Sequence, residues 1–271
     1  TTAAGANTFY HPYGVWSDGK RLFVADYENH RVLIYNSIPT TNNASADVVI
    51  GHADFTSGSA DPGGIGANTL DYPNAVFSDG KRLFVADRYN NRVLIYNSIP
   101  TTNNASADVV IGQANFTSND PNQGEGVGAN TFNYPSSVFS DGKRLFITDR
   151  INNRVLIYNS IPTTNNASAN VVIGQPDFLS NDSGITAEKL DRPRNAVSDG
   201  KRLFISDRDN HRVLIYNSIP TENNASADVV IGQANFTSND PNQGGNPGPN
   251  MIKDPIGILS DGKRLFIADR G

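Results

Sequence analysis

The apolar residues of this chain come in short runs, each closed by turn-forming residues. In one representative stretch four such runs follow one another: Asn74–Phe77, Arg82–Ala86, Arg92–Tyr96 and Asp108–Ile111. They are rich in Val, Ile, Leu, Phe and Tyr, and we predict four strands, a to d in chain order. The "SDG" between a and b predicts a tight hairpin in which Gly supplies a positive φ. "DRYNN" between b and c is a second polar turn, and "NSIPTTNNASA" between c and d is a longer loop. From d to the next a runs a linker such as Gln113 to Tyr134, with Gly, Asn, Asp and Pro and no apolar period.

The pattern repeats. "SDGKRLF" begins at Ser17, Ser78, Ser140, Ser198 and Ser260, at spacings of 61, 62, 58 and 62 residues. "NNRVLIYNSIPTTNNASA" occurs unchanged at Asn90–Ala107 and Asn152–Ala169, with near-copies at Asn29–Ala46 and Asn210–Ala227. The repeat units are approximately 1–61, 62–123, 124–181, 182–243 and an incomplete 244–271. Strands b and c, "RLFVA" and "RVLIY", are apolar on both faces, so each small sheet must be sandwiched between similar sheets. Radially stacked four-stranded antiparallel sheets make an all-β propeller. A solenoid is the alternative, but its repeats are usually shorter.

"LFVADYENHRVLIYN" (Leu22–Asn36) and "LFISDRDNHRVLIYN" (Leu203–Asn217) resemble the signature of the NHL-repeat β-propeller family. That signature is a strand ending in Asp, a turn with Asn-His-Arg, then an apolar strand. Asn91 and Asn153 replace the His in units two and three. The resemblance covers all five units and implies a propeller, commonly six-bladed. It implies no single function. The sequence holds four full blades and half of a fifth, so we expect part of a larger ring. Either the native chain continues past Gly271, or another polypeptide pairs with the strand at Arg264–Ala268.

Composition narrows the function. The net charge is −5 and the basic residues are mostly repeated turn positions beside Asp, which argues against nucleic acid as a partner. No apolar run approaches the ~18 residues of a membrane helix, so membrane insertion is not expected. Cysteine is absent, which removes disulfides and thiolate metal sites. Abundant Asn, Thr, Ser and Gly with scarce Lys suggest an extracellular or cell-surface protein.

The residues that could carry chemistry are mostly repeated ones. The strand-b Asp recurs as Asp26, Asp87, Asp149, Asp207 and Asp269. We read these as structural partners of the turn Asn and of Arg31, Arg92, Arg154 and Arg212. A cation-binding carboxylate ring, as in metal-dependent propeller hydrolases, is the alternative. His30 and His211 read as turn residues, and no catalytic set, HExxH pattern or phosphate loop is present. No metal or cofactor is expected, although the oxygen-rich "QANFTSNDPNQG" at Gln113–Gly124 and Gln233–Gly244 offers an alternative reading as a calcium loop. "NAS" at Asn43, Asn104, Asn166 and Asn224 and "NFT" at Asn115 and Asn235 fit the glycosylation acceptor pattern, or simply turn chemistry.

In near-copies, the positions that diverge are informative. The a–b turn is invariant and the c–d loop nearly so, and both should emerge on one face. On the other face the strand-a entry reads "HPYG", "YPNA", "YPSS", "RPRN" and "DPIG", and the b–c turn varies beside it. We therefore expect a recognition surface around the mouth of the central channel, with candidate contacts Tyr13, Tyr27, Asn74, Arg88, Tyr89, Ser136, Arg150, Arg194 and Arg208. The leading expectation is a non-enzymatic binding or assembly scaffold for a protein or cell-surface ligand. A filament, lattice or coat subunit built from copies of itself is one alternative. A metal-dependent hydrolase or lyase is another.

Overall fold

The computed structural model describes residues 4–271. It consists of repeated antiparallel sheets with only short 3-10 turns beside them. The first sheet runs β1 (Pro12–Ser17), β2 (Leu22–Asp26), β3 (Arg31–Tyr35), β4 (Val48–Ile50). The second runs β5 (Pro73–Ser78), β6 (Leu83–Asp87), β7 (Arg92–Tyr96), β8 (Val109–Ile111). The third holds β9 (Pro135–Ser140), β10 (Leu145–Asp149), β11 (Arg154–Tyr158) and β12 (Val171–Ile173). The fourth holds β13 (Asn195–Ser198), β14 (Leu203–Asp207), β15 (Arg212–Tyr216) and β16 (Val229–Ile231). The last is the pair β17 (Pro255–Ser260) and β18 (Leu265–Asp269).

Four strands per repeat, in sequence order, match the hydrophobic pattern. The strand limits move slightly, for local reasons. Arg82 stays in the hairpin turn because its N–H and its Nε both bond to Asp79, at 2.7 and 2.8 Å. Asp108 lies just outside β8, where its carboxylate accepts the N–H of Asn97 at 2.7 Å. Gly80 has the positive φ, 87°, that the "SDG" turn requires.

The chain divides into two compact units. The first comprises Thr1–Gly126 with Asn130–Val138 and Pro162–Ala167. The second comprises Val127–Ala129, Phe139–Ile161 and Ser168–Gly271. Within the first unit, Phe23, Ala25, Val32 and Ile34 of one sheet pack on Val76, Leu83, Val85 and Leu94 of the next. Each fully buried aliphatic side chain contributes about 1.5–3 kcal/mol, so one solution to this interface can be reused. The two sheets come so close that a Cβ on Gly14 would meet Ala75 Cα at 2.9 Å. Trp16 seals the junction, donating from Nε1 to the Ser78 carbonyl at 2.9 Å. Within the second unit, Phe146, Val155 and Ile157 pack in the same way on Ala196, Leu203 and Ile205.

The near-invariant c–d loop has a structural task that its composition did not announce. In the first unit the Val49 N–H of outer strand β4 donates to Asn103 Oδ1 at 3.0 Å, and Asn104 N–H donates back to the Val49 carbonyl at 2.9 Å. The Asn165–Asn166 pair does the same for Val110, and in the second unit Asn223–Asn224 does it for Val172. Each "NN" thus satisfies the outer edge of the preceding sheet, which would otherwise present open backbone groups. Asn104, Asn166 and Asn224 all have φ of 57°, a left-handed geometry that Asn tolerates.

Candidate recognition surface

The b–c turns are built on a buried charge network. Asp87 and Arg92 are both fully buried, and Arg92 Nε donates to Asp87 Oδ2 at 2.8 Å. Asn90 adds a second donor at 3.0 Å and the Asp71 N–H a third at 2.7 Å. The rest of the guanidinium donates to the carbonyls of Gly66, Thr69 and Phe116, which draws both ends of the linkers onto the turn. Asp26–Arg31, Asp149–Arg154 and Asp207–Arg212 pair in the same way at 2.7–2.8 Å. Burial pushes the Asp87 and Asp207 carboxyls up to about 6, against the pull of Arg92 and Arg212. Asp269 accepts the Lys253 N–H at 3.0 Å. Among the described residues no three His, Cys, Asp or Glu side chains gather as a metal site.

This network fixes an unusual backbone at the entry to strand a. The residue before each Pro has a positive φ: 49° at His11, 50° at Tyr72, 53° at Tyr134, 45° at Arg192 and 57° at Asp254. Such geometry is strained for a bulky side chain and disfavoured before Pro. At Tyr72, Tyr134, Arg192 and Asp254 a residue from the preceding b–c turn holds it. His30 Nδ1 accepts the Tyr72 N–H at 3.2 Å, and Asn91 Oδ1 accepts the Tyr134 N–H at 2.8 Å. In the second unit, Asn153 does this for Arg192 and His211 for Asp254. The His/Asn interchange follows: both offer a side-chain acceptor, and these four residues all sit at φ of 50–52°.

In the first unit this clasp assembles aromatic rings. Tyr13, Tyr27, Tyr72, Tyr89 and Tyr134 form a continuous series with centroids 4.6, 4.7, 4.6 and 5.0 Å apart. Arg88 enters the series. Its guanidinium carbon lies 5.4, 5.6 and 5.9 Å from the Tyr134, Tyr89 and Tyr27 ring centres, and Nη1 donates to the Tyr27 hydroxyl at 3.1 Å. Such cation–π contacts strengthen where water is excluded. Tyr13 and Tyr89 are exposed, 52% and 39%, whereas Tyr27 is buried. Burial raises the Tyr27 and Tyr72 hydroxyls above the ordinary phenol range, so both stay protonated. In the second unit the equivalent surface is charged. Asp209 pairs with Arg192 and Arg208, each at 3.3 Å, and Arg208 also lies 3.7 Å from Asp254. Burial and the neighbouring Asp209 raise the Asp191 carboxyl.

Of the nine sequence candidates, Tyr13, Tyr27, Arg88 and Tyr89 come together in the tyrosine cluster. Arg150, Arg194 and Arg208 lie half-buried in the second unit. Asn74 and Ser136 are buried and pack on each other, Asn74 Nδ2 donating to the Ser136 carbonyl at 2.6 Å. They are therefore not surface contacts, because strand a carries them inward. Tyr72 and Tyr134 were missed. Their signal was present, an aromatic residue directly before a repeated Pro.

No protein-family model matches this sequence, and a search of curated proteins finds no relative. The fold does have neighbours among solved structures. A chain of a nidogen/laminin complex is 14% identical with a TM-score of 0.50, over 95% of this chain and 72% of that one. U3-55K is 12% identical with a TM-score of 0.50, over 85% and 55%. A streptogramin B lyase is 9% identical with a TM-score of 0.48, over 99% and 64%, so this chain spans less than two thirds of that enzyme. These likenesses concern the fold, which is a β-propeller. No helix among the described residues is long and apolar enough to cross a membrane.

Proposed function

We propose that this chain is an NHL-like, non-enzymatic recognition module of the extracellular space or cell surface, binding a protein or cell-surface ligand through the tyrosine cluster of its first unit. One observation carries the reading. In a chain of near-copies, the positions released from copying gather five tyrosines and Arg88 into one cluster, with Tyr13 and Tyr89 open to solvent. Tyrosine brings large, rigid contact area at low entropic cost, and Tyr and Arg are enriched among residues that dominate interfaces. A fold neighbour seen in a complex, nidogen with laminin, supports a binding role by analogy.

The test is a screen of the intact chain against a displayed peptide library and a glycan array. Each binder is then re-measured on Tyr13→Ala with Tyr89→Ala, and on Lys81→Ala with Lys143→Ala in the conserved hairpin turns. Binding lost only with the tyrosines supports the reading. Binding lost only with the lysines assigns recognition to the opposite turns.

A further inference from the structure

His30 Nδ1 has two neighbours with opposite demands. The Tyr72 N–H lies 3.2 Å away and donates to it, while Asp71 Oδ1 lies 3.1 Å away and is an acceptor. The imidazole is buried, and its ring meets Tyr72 edge-on at 4.3 Å. One ring nitrogen offers either a lone pair or an N–H, never both. With Nδ1 unprotonated, Tyr72 is satisfied and Asp71 Oδ1 is left buried without a donor. Two acceptors then face each other with no proton between them, a costly arrangement away from water.

We propose that His30 and Asp71 form a proton-operated switch on the tyrosine cluster, a regulation that rests on the recognition reading above. His30 takes up one proton from solvent at Nδ1, and imidazole becomes imidazolium. Nδ1–H then donates to the Asp71 carboxylate, and the Tyr72 N–H loses its acceptor. That hydrogen bond is the clasp on Tyr72, whose φ is 50°. The Tyr72 ring, which links Tyr27 to Tyr89, is released with its backbone.

Of the charged groups near the imidazole, Asp71 faces Nδ1 at 3.1 Å, Glu28 lies two residues before it on the same turn, and Asp26 is paired with Arg31. Burial disfavours the charged form of His52, which lies in the turn after β4. The repeat supplies its own controls. Asn91 clasps Tyr134 with an amide oxygen, which takes up no proton in this range. His211 clasps Asp254, but there the carboxylate oxygen is 3.8 Å from Nδ1 and Arg208 shares the group, so the coupling is looser.

The experiment follows the Tyr72 and Tyr134 amides of the intact chain by nitrogen-15 NMR from about pH 8 to pH 5, the range in which histidine switches operate. Tyr72 should show a titration step, and its hydrogen exchange relative to Tyr134 should quicken roughly fivefold as its hydrogen bond is lost. His30→Asn copies the Asn91 turn and should fold normally without the step. Asp71→Asn should move the step to lower pH. A flat Tyr72 titration, or a step that survives in His30→Asn, overturns the switch. These readouts use no ligand, so failure of the recognition reading would appear only in the binding screen.

Discussion

The tyrosine cluster of the first unit and the arginine–aspartate cluster of the second stand on the same backbone device. In both, a buried Asp–Arg pair closes the b–c turn, and the residue after the turn Asn clasps a left-handed residue before a Pro. On that device Tyr72 and Tyr134 carry rings in one unit, while Arg192 and Asp254 carry charges in the other. The backbone constraint is common and the side chains are not. The backbone beneath these diverging positions is held by named hydrogen bonds. What the chain varies is the chemistry displayed on a rigid mount.

The most severe way to break the comparison is to remove the shared mount. Arg92→Ala leaves Asp87 buried without its cation and frees three linker carbonyls. Removing one partner of a buried ion pair costs about 3–5 kcal/mol. Arg212→Ala should cost a similar amount in the second unit, measured by urea unfolding. A loss below about 1 kcal/mol, the range of exposed ion pairs, would mean the network is not what holds the turns.

Next in size is the display itself. Tyr89→Ala should weaken any ligand of the tyrosine cluster by about 2 kcal/mol, the threshold of an interface hot spot, with little change in melting temperature. Arg192→Ala, at an equivalent entry in the second unit, should leave that ligand's affinity unchanged in titration calorimetry. Equal losses from both variants would show that the tyrosine cluster does not hold the ligand by itself.

Much of the mount was legible in the sequence, and so were Tyr13, Tyr27, Arg88 and Tyr89 of the display, but not the way they assemble. Strand positions follow from apolar runs bounded by "SDG" and "NN", because each run must cover two neighbouring sheets. The Asp–Arg pairing was legible because both residues recur at fixed spacing within a single turn. The clasp was not, since His30 and Tyr72 are 42 residues apart and nothing in a turn His names its acceptor role. The stacking of the tyrosines into one series escaped for the same reason, and with it Tyr72 and Tyr134. Its members belong to b–c turns and strand entries of different repeats, and only packing puts Tyr72 between Tyr27 and Tyr89. Asn74 and Ser136 misled because divergence was equated with exposure, whereas both are buried.

The clasp predicts a smaller and sharper contrast. His30→Asn should be close to neutral, because Asn occupies the same place at Asn91 and Asn153 with φ of 50° and 52° against 50° at His30. His30→Ala removes the acceptor while keeping a side chain unsuited to positive φ, and should cost about 1–2 kcal/mol. Thermal unfolding of the two variants side by side measures the difference. Equal costs would show that the imidazole ring, not the acceptor, is what matters there.

The smallest effect concerns His52, where the first repeat departs from its copies. Gln113, Gln175 and Gln233 fill the equivalent place, and Gln113 Nε2 donates to the carbonyls of Asn91 and Asp120 at 3.2 and 2.9 Å. His52 meets the same need with Nε2 placed 3.0 Å from the Asn29 carbonyl, and its Nδ1 is buried with no partner. Burial therefore lowers its pKa in the folded chain. The unfolded chain then binds a proton more readily than the folded one, so stability rises with pH across the interval between the two values. The contribution is complete above the ordinary histidine range near 6.5 and is lost as pH falls below it. His52→Gln removes the titration while restoring the pattern of the sister repeats. The stability difference between His52→Gln and the natural chain should be small at pH 8. It should grow in favour of the variant on acidification below about pH 6.5, by at most about 1.4 kcal/mol per pH unit. Urea unfolding of both proteins at a series of pH values separates this from the titration of Asp87 and Asp207, which is common to the two. A difference that stays constant with pH would show that His52 is as easily protonated in the folded chain as in the unfolded one.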